Sequence, residues 1–138
     1  MPKCRSNIRL TVSPSACILA AMLILLLPLR WVFAAIFAAA FHEACHVLAV
    51  YLCGGTVRRI CVGNRGAVIR ADALPTGKEL ICILAGPIGS LLLVLFVRWI
   101  PRIALCGLFH AFYNLLPIYP LDGGRALRCI WLALKNRP

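Results

Sequence analysis

The residues best suited to chemistry form the pentapeptide His42-Glu43-Ala44-Cys45-His46. On a helix, side chains four residues apart project from one face at neighbouring levels, so His42 and His46 can bind a single metal ion. A zinc hydrolase needs three protein ligands, a coordination position for water, and a carboxylate that takes a proton from this water. The pentapeptide therefore predicts two zinc ligands, His42 and His46, and a general base, Glu43.

The surroundings of the pentapeptide favour this interpretation over a packing role. Five-residue patterns arise by chance, and many histidines on helices are structural or exposed. Here, however, the motif interrupts the apolar run FAAAFHEACHVLAV, and an ionisable group at mid-membrane costs about 2.5–3.5 kcal/mol on insertion scales. A glutamate between two histidines in such a run is not expected without a partner. Cys45 points away from the histidine face, so we interpret it as a small apolar filler.

The third ligand is predicted to be Asp122. It is the other carboxylate in an apolar neighbourhood, and Pro120, Gly123 and Gly124 around it favour an opened backbone. Membranes tolerate such backbone only where protein or a water cavity lines it. The alternative is a simple turn with Asp122 at a helix N-cap. Together with the two histidines, the ligand interpretation is favoured.

The composition indicates an integral membrane protein. Of 138 residues, 62% are hydrophobic and 14% are charged, whereas soluble domains are about 45–50% apolar. The net charge of +11 comes from scattered residues with no nucleic-acid motif, so we expect anionic lipid and no nucleic acid as partner. The eight cysteines include no CxxC pair and are interpreted as reduced fillers.

The apolar runs predict a single all-α membrane domain over residues 1–138 with about four transmembrane helices. The predicted spans are 16–29, 31–53, 79–99 and 103–118, followed by a C-terminal amphipathic segment at 121–138. Prolines and glycines should break the last span at NLLPIYPLDGG. The first apolar run also has the outline of a secretory signal peptide, which would invert the topology if it were cleaved.

The polar stretch 54–78 connects the second and third predicted spans. Within it, the β-branched runs TVRRICV and AVIRA flank Gly63-Asn64-Arg65-Gly66, which predicts a small β-hairpin at the cytoplasmic membrane surface. An unstructured basic loop is the alternative. If the hairpin forms, residues 57–71 offer a strand edge that can hold an unwound substrate by β-pairing.

The basic residues predict the orientation, because Lys and Arg accumulate in cytoplasmic loops. With both ends of the chain in the cytoplasm, only Arg30, Arg98 and Arg102 of the 15 basic residues lie outside. His42 and His46 then fall in the half of the second span that leads to the cytoplasm.

The two motifs together resemble the site-2 protease family of intramembrane zinc metalloproteases, peptidase M50. The HEACH sequence lies in a span and NLLPIYPLDGG follows about 70 residues later; the resemblance covers residues 41–125. Within that family the chain looks most like the stage IV sporulation protein FB type, in a minimal form without a CBS or PDZ domain. Ser90 stands where the family commonly has Asn in Gly-Pro-x-x-Asn, a departure expected to leave the zinc site untouched.

The resemblance implies zinc bound by His42, His46 and Asp122, with Glu43 as the catalytic base and Asn114 near the scissile peptide or its oxyanion. From the residues alone, Asn114 equally well satisfies a carbonyl freed at the helix break. His110 is interpreted as a structural histidine, and the alternative is a group that supports a metal ligand from behind.

The implied function is cleavage of a membrane-spanning or membrane-associated protein in the bacterial cytoplasmic membrane, including processing of a pro-sigma factor during sporulation. The lipid bilayer is an expected partner, and an inhibitory membrane protein is compatible with this function. The alternative is a catalytically inactive family member that binds partners or metal.

Overall fold

The computed structural model of the protein describes residues 9–12, 25–63, 66–71 and 74–135. Strand β1 (Arg9–Val12) precedes the long helix α1 (Leu29–Leu52). Strands β2 (Val57–Gly63) and β3 (Gly66–Ala71) lead to helix α2 (Thr76–Leu92), which a 3-10 turn extends through Leu93–Phe96. Helices α3 (Pro101–Asn114) and α4 (Asp122–Lys135) complete the described chain.

Helix α1 is the first of two candidate membrane spans. Its 24 residues correspond to about 36 Å of helix, enough to cross the hydrocarbon layer. It begins directly after Pro28 and ends at Leu52; Cys53 caps it, and the next residue, Gly54, adopts a left-handed φ of 81°. Such a glycine commonly terminates a helix because it has no Cβ to clash in that conformation. The observed bounds agree with the predicted span 31–53 to within two residues.

Helix α2 with its 3-10 extension, Thr76–Phe96, is the second candidate span. It includes most of the residues of the predicted span 79–99 but starts earlier, at Thr76 directly after Pro75. Pro87 lies inside the helix and cannot donate the usual backbone hydrogen bond to the residue four positions earlier. α2 is the central helix, since it packs against α1, α3 and α4.

The other two predicted spans are not established as transmembrane helices. Most of the predicted span 16–29 lies outside the described residues. The predicted span 103–118 overlaps helix α3, whose 14 residues correspond to about 21 Å against a hydrocarbon thickness of about 30 Å. The chain leaves the helix after Asn114 and resumes it at Asp122. The helix is therefore interrupted over NLLPIYPLDGG, as predicted, but α3 ends at Asn114, four residues before the end of the predicted span.

Strands β2 and β3 pair antiparallel over the residues for which a hairpin or a basic loop was predicted, with Cys61 opposite Val68 and Ile60 opposite Ile69. Residues 64–65 of the predicted turn lie outside the described residues. Strand β1, which the sequence did not predict, pairs parallel to β2 and gives the order β1-β2-β3. β2 is therefore the central strand, and β3 has a described partner on one side only.

The helices around the candidate site bury small residues and expose large apolar ones. In α1, Ala34 and Ala38 are 4% and 1% exposed, whereas Phe33 and Phe37 are 63% and 51% exposed. At the α1–α2 crossing, a Cβ added to Gly89 would overlap Cys45 Sγ. Small residues let helix backbones approach closely within a bilayer, and large apolar side chains suit the lipid-facing surface. This distribution supports a membrane-embedded helical core.

The cysteines in the described part of the chain agree with the filler interpretation where their side chains can be assessed. The free cysteines are Cys45, Cys53, Cys82, Cys106 and Cys129. Cys82 packs in a small apolar cluster with Ala49 and Val50, and Cys129 packs with Ile83 and Ala126.

Candidate metal centre

Three predicted ligands meet in the interior of the helical core. His42 and His46 lie one turn apart on α1, and Asp122 is the first residue of α4. All three are buried, with 1%, 7% and 6% of their surfaces exposed. His42 and Asp122 are 80 residues apart in the sequence. They meet because α1 and α4 both pack against α2.

The three side chains converge on one point. His42 Nε2, His46 Nε2 and Asp122 Oδ2 form a triangle in which each pair of atoms is 3.1 Å apart. Ligand atoms about 2.0–2.1 Å from a tetrahedral zinc ion are about 3.3 Å from one another. The arrangement therefore fits a metal ion, and the donor set of two imidazoles and one carboxylate is typical of a catalytic metal site.

The hydrogen bonds on the far side of the histidines fit metal binding. His46 Nδ1 lies 2.7 Å from the main-chain carbonyl oxygen of Cys82. A carbonyl can only accept, so Nδ1 carries the hydrogen and Nε2 of a neutral His46 presents a lone pair to the triangle. His42 Nδ1 lies 2.9 Å from Ser90 Oγ. Both imidazoles thus have the outer hydrogen-bond partner that metal-binding histidines require.

Asp122 is placed by the glycines that follow it. A Cβ at Gly123 would overlap the carbonyl oxygen of Leu115, and one at Gly124 would lie 2.5 Å from the backbone nitrogen of Tyr119. Only glycine therefore allows the start of α4 to pack against the backbone that leaves α3. Arg125 Nη1 lies 3.5 Å from Asp122 Oδ1, which leaves Oδ2 directed towards the histidines.

Asp122 is outside both candidate spans and is ionised. Burial by itself would raise the pKa of its carboxyl group, but the adjacent His42 and His46 outweigh burial and hold this pKa below its ordinary value. The side chain is therefore a carboxylate at neutral pH, which is the form that binds a metal ion.

Glu43 follows His42 on α1 and is half-buried. It lies one position after His42 and three before His46 on the same helix, within about one turn of both ligands. A carboxylate at the rim of a buried metal site is suited to accept a proton from a metal-activated water.

Two residues at the site were missed as site residues in the sequence. A Cβ added to Gly86 would overlap His46 Nε2 and lie 2.7 Å from His42 Nε2, so the backbone of α2 forms a wall of the site. Ser90, one turn further along α2, is 0% exposed and contacts His42 directly. Position 90 therefore contacts a predicted zinc ligand, and the expectation that a serine there leaves the zinc site untouched stays a prediction. The available signal was the small-residue pattern AGPIGS, which indicated only close helix packing.

The side chain of Asn114 makes a hydrogen bond within the end of α3. Its side-chain Nδ2 donates a hydrogen bond to the backbone carbonyl of His110 at 3.0 Å. This is the helix-end contact that the residues alone allowed as the alternative to substrate binding. His110 is half-buried, and its ring stacks edge-on against His42 with 4.6 Å between ring centroids.

A largely open apolar cavity of about 400 Å³ lies between α1 and α3. Its wall includes Trp31, Leu105, Phe109, His110 and Tyr113. His110 links the two regions, since it lines the cavity and contacts His42. The cavity therefore approaches the ligand cluster from the side of α3.

Residues 15–118 match the sequence model of the Peptidase M50B-like family. This match covers most of the chain and includes the pentapeptide with both histidines.

The chain belongs to the Peptidase M50B-like family.

The membership confirms the site-2 protease family that the two motifs predicted and assigns the chain to the intramembrane metalloproteases. The structure is also similar to that of the site-2 protease from Methanocaldococcus jannaschii, with a TM-score of 0.75 and 22% sequence identity over 95% of this chain and 70% of that one. At this identity the similarity shows a shared fold. Among curated protein sequences, none matches the chain.

The M50B-like match ends at residue 118, four positions before Asp122. The assignment of Asp122 to the metal site therefore rests on its position in the structure, where it completes a His-His-Asp group that fits a metal ion.

Proposed function

We propose that the protein is an intramembrane zinc endopeptidase that hydrolyses a peptide bond of a membrane-spanning or membrane-associated protein. The observation that carries this proposal is the triangle of His42 Nε2, His46 Nε2 and Asp122 Oδ2, with 3.1 Å along each side. Glu43, the half-buried residue that follows His42 on α1, is the proposed base. A ligand set with an adjacent base is what peptide hydrolysis requires.

In the proposed reaction, three residues bind the metal ion and a fourth transfers the proton. Zinc held by His42, His46 and Asp122 would lower the pKa of a bound water to about 7 and polarise the substrate carbonyl. Glu43 accepts a proton from the attacking water and returns it to the leaving amide nitrogen, so it acts first as base and then as acid. The burial of the three ligands excludes bulk water from the reacting group, which strengthens these electrostatic interactions.

The substrate must be extended before it can react, because a helix hides its peptide bonds in its own hydrogen-bond ladder. β3 is the strand proposed to bind the extended segment, since β2 is covered on both sides by β1 and β3. Main-chain pairing of this kind gives affinity with little sequence specificity. The apolar cavity beside His110 provides room for a large apolar side chain near the site.

The basic residues support a cytoplasmic-facing site in the bacterial membrane. Strands β2 and β3 join the end of α1 to the start of α2, so they lie on one side of the bilayer, together with Lys78. Arg98 and Arg102 lie near the opposite end of α2. The positive-inside rule then assigns the sheet to the cytoplasm. Processing of a pro-sigma factor, as in the sporulation branch, is the substrate class that this orientation favours.

Replacement of Glu43 by Gln tests the proposal. Full-length Glu43→Gln should keep wild-type zinc content but fail to cleave a co-expressed single-span substrate, since glutamine cannot accept the proton. Glu79→Gln is the matched control, because Glu79 is an exposed carboxylate in the first turn of α2 and should leave both properties unchanged. Cleavage by Glu43→Gln would refute the assigned base. A wild-type protein that binds zinc but cleaves nothing would instead favour an inactive family member.

A further inference from the structure

The two histidines are oriented by different kinds of partner. His46 Nδ1 donates to a main-chain carbonyl, that of Cys82, which no side-chain substitution removes. His42 Nδ1 instead contacts a side chain, the hydroxyl of Ser90, at 2.9 Å. The orientation of His42 therefore depends on a group that a single substitution can delete.

The hydroxyl of Ser90 also differs from the carbonyl in what it can do. A carbonyl only accepts, whereas a hydroxyl both donates and accepts. Ser90 Oγ can accept a hydrogen bond from His42 Nδ1–H, which leaves the lone pair of His42 Nε2 for a metal ion. It can also donate to His42 Nδ1, and His42 Nε2–H then bonds Asp122 Oδ2 across 3.1 Å. The buried imidazole thus has a partner for Nδ1 in either tautomer.

The surrounding helices hold Ser90 in place. Ser90 is 0% exposed, and a Cβ added to Gly107 of α3 would lie 3.1 Å from the Ser90 carbonyl oxygen. On the α1 side, Gly86 and Gly89 bring α2 against His46 and Cys45. Because these contacts hold the backbone of α2 in place on both sides, the Ser90 hydroxyl projects from a fixed position. Its hydrogen bond to His42 therefore restricts the orientation of the imidazole ring.

We propose that Ser90 is a positioning residue that orients His42 for metal binding and accepts the hydrogen bond from Nδ1–H in the metal-binding tautomer. This role rests on the proposed metal site. Loss of such an outer hydrogen bond lowers metal affinity by about 10- to 100-fold in metalloproteins. Ser90→Ala is therefore expected to weaken zinc binding by this factor, because the metal-binding tautomer of His42 leaves a buried N–H without an acceptor.

The experiment compares three substitutions at position 90 in the full-length protein in detergent. Ser90→Ala removes the hydroxyl, Ser90→Cys nearly keeps the volume but is a weak hydrogen-bonding group, and Ser90→Thr keeps the hydroxyl. Zinc affinity is measured by competition with a chromogenic chelator, and helix content by circular dichroism. The cobalt-substituted proteins are compared by visible absorption, which reports the ligand geometry. Ile83→Val is the matched control, because it removes one heavy atom from another buried side chain of α2, which packs against Ala126 and Cys129 of α4.

Ser90→Ala and Ser90→Cys should both bind zinc more weakly and shift the cobalt spectrum at wild-type helix content, while Ile83→Val behaves as wild type. Ser90→Thr should restore the affinity; if the extra methyl group prevents folding, Ser90→Cys still separates hydrogen bonding from volume. Wild-type affinity and spectrum in folded Ser90→Ala or Ser90→Cys would overturn the positioning role while leaving the zinc site intact. Absence of zinc from the wild-type protein would instead overturn the proposed function.

Discussion

Gly86 offers a test of how closely α2 backs the metal site, because it has a matched control in the same helix. A Cβ at position 86 would lie 2.7 Å from His42 Nε2 and would overlap His46 Nε2. At Gly77, in the first turn of α2, an added Cβ meets nothing within 4 Å. Gly86→Ala and Gly77→Ala are therefore the same chemical change in the same helix, with and without a steric conflict at the ligands.

The magnitude follows from the distances. Ordinary contact between heavy atoms is about 3.5 Å, so relief of the 2.7 Å contact requires a movement of about 0.8 Å, several times the tolerance of about 0.2 Å for metal–ligand distances. Overpacking of this kind costs about 1–3 kcal/mol, which corresponds to roughly 5- to 140-fold weaker zinc binding if the metal-bound state carries the penalty. Alanine also favours the helix by about 1 kcal/mol, so helix content should not fall.

Zinc content per mole of purified full-length protein and affinity by chelator competition measure the effect, and circular dichroism measures helix content. Gly77→Ala should retain wild-type affinity, whereas folded Gly86→Ala should bind zinc at least fivefold more weakly. Equal zinc affinity in the two variants would refute the placement of α2 against the ligand atoms.

Three further predictions address the remaining parts of the site and its surroundings. Asp122→Asn should lower zinc affinity by more than tenfold, since it removes the ligand charge at nearly constant volume. Titration with zinc measures this affinity, and the control variant Glu79→Gln should keep the wild-type value. Backbone N–H groups alternate in direction along a strand, so either Val68 or Ile69 of β3 directs its N–H away from β2, towards the open edge. Of the variants Val68→Pro and Ile69→Pro, the one that removes this N–H should reduce substrate turnover at unchanged zinc content. Unchanged turnover in both variants would exclude β3 as the substrate edge. Trp131 is 60% exposed on α4, and tryptophan prefers the headgroup end of the acyl chains. In a variant with Trp31 and Trp99 replaced by Phe, lipids brominated at that depth should therefore quench the fluorescence of Trp131. Unquenched fluorescence would indicate that α4 faces water.

Much of the active centre was predictable because it depends on local spacing. The four-residue interval places His42 and His46 on one face of any helix, whereas the role of Glu43 as general base stays a prediction from its position next to His42. The composition of the apolar runs indicated a membrane protein, and the bounds of α1 were predicted to within two residues. Pro117 and Pro120 predicted the interruption between α3 and α4, because proline lacks the backbone donor that a continuous helix needs.

Other features depended on contacts between distant parts of the chain. The sequence proposed Asp122 as a ligand but left a helix N-cap as the alternative, and the 3.1 Å contacts across 80 and 76 residues favour the ligand. Ser90 and Gly86 carry no signal of their own for a metal site. Their roles arise because α2 crosses α1 at a particular height and rotation, which depends on side-chain packing along both helices. The same holds for β1, whose parallel pairing with β2 joins segments more than 40 residues apart.

The sequence by itself thus determined the chemistry, that is, which side chains can bind a metal ion and which carboxylate can accept a proton. The tertiary structure decided how those side chains are held: which atom orients each imidazole, which backbone forms the wall of the site and how far α3 extends. The physical reason is that residue type and helical period act within a turn or two. Outer hydrogen bonds and close backbone contacts exist only once separate helices pack.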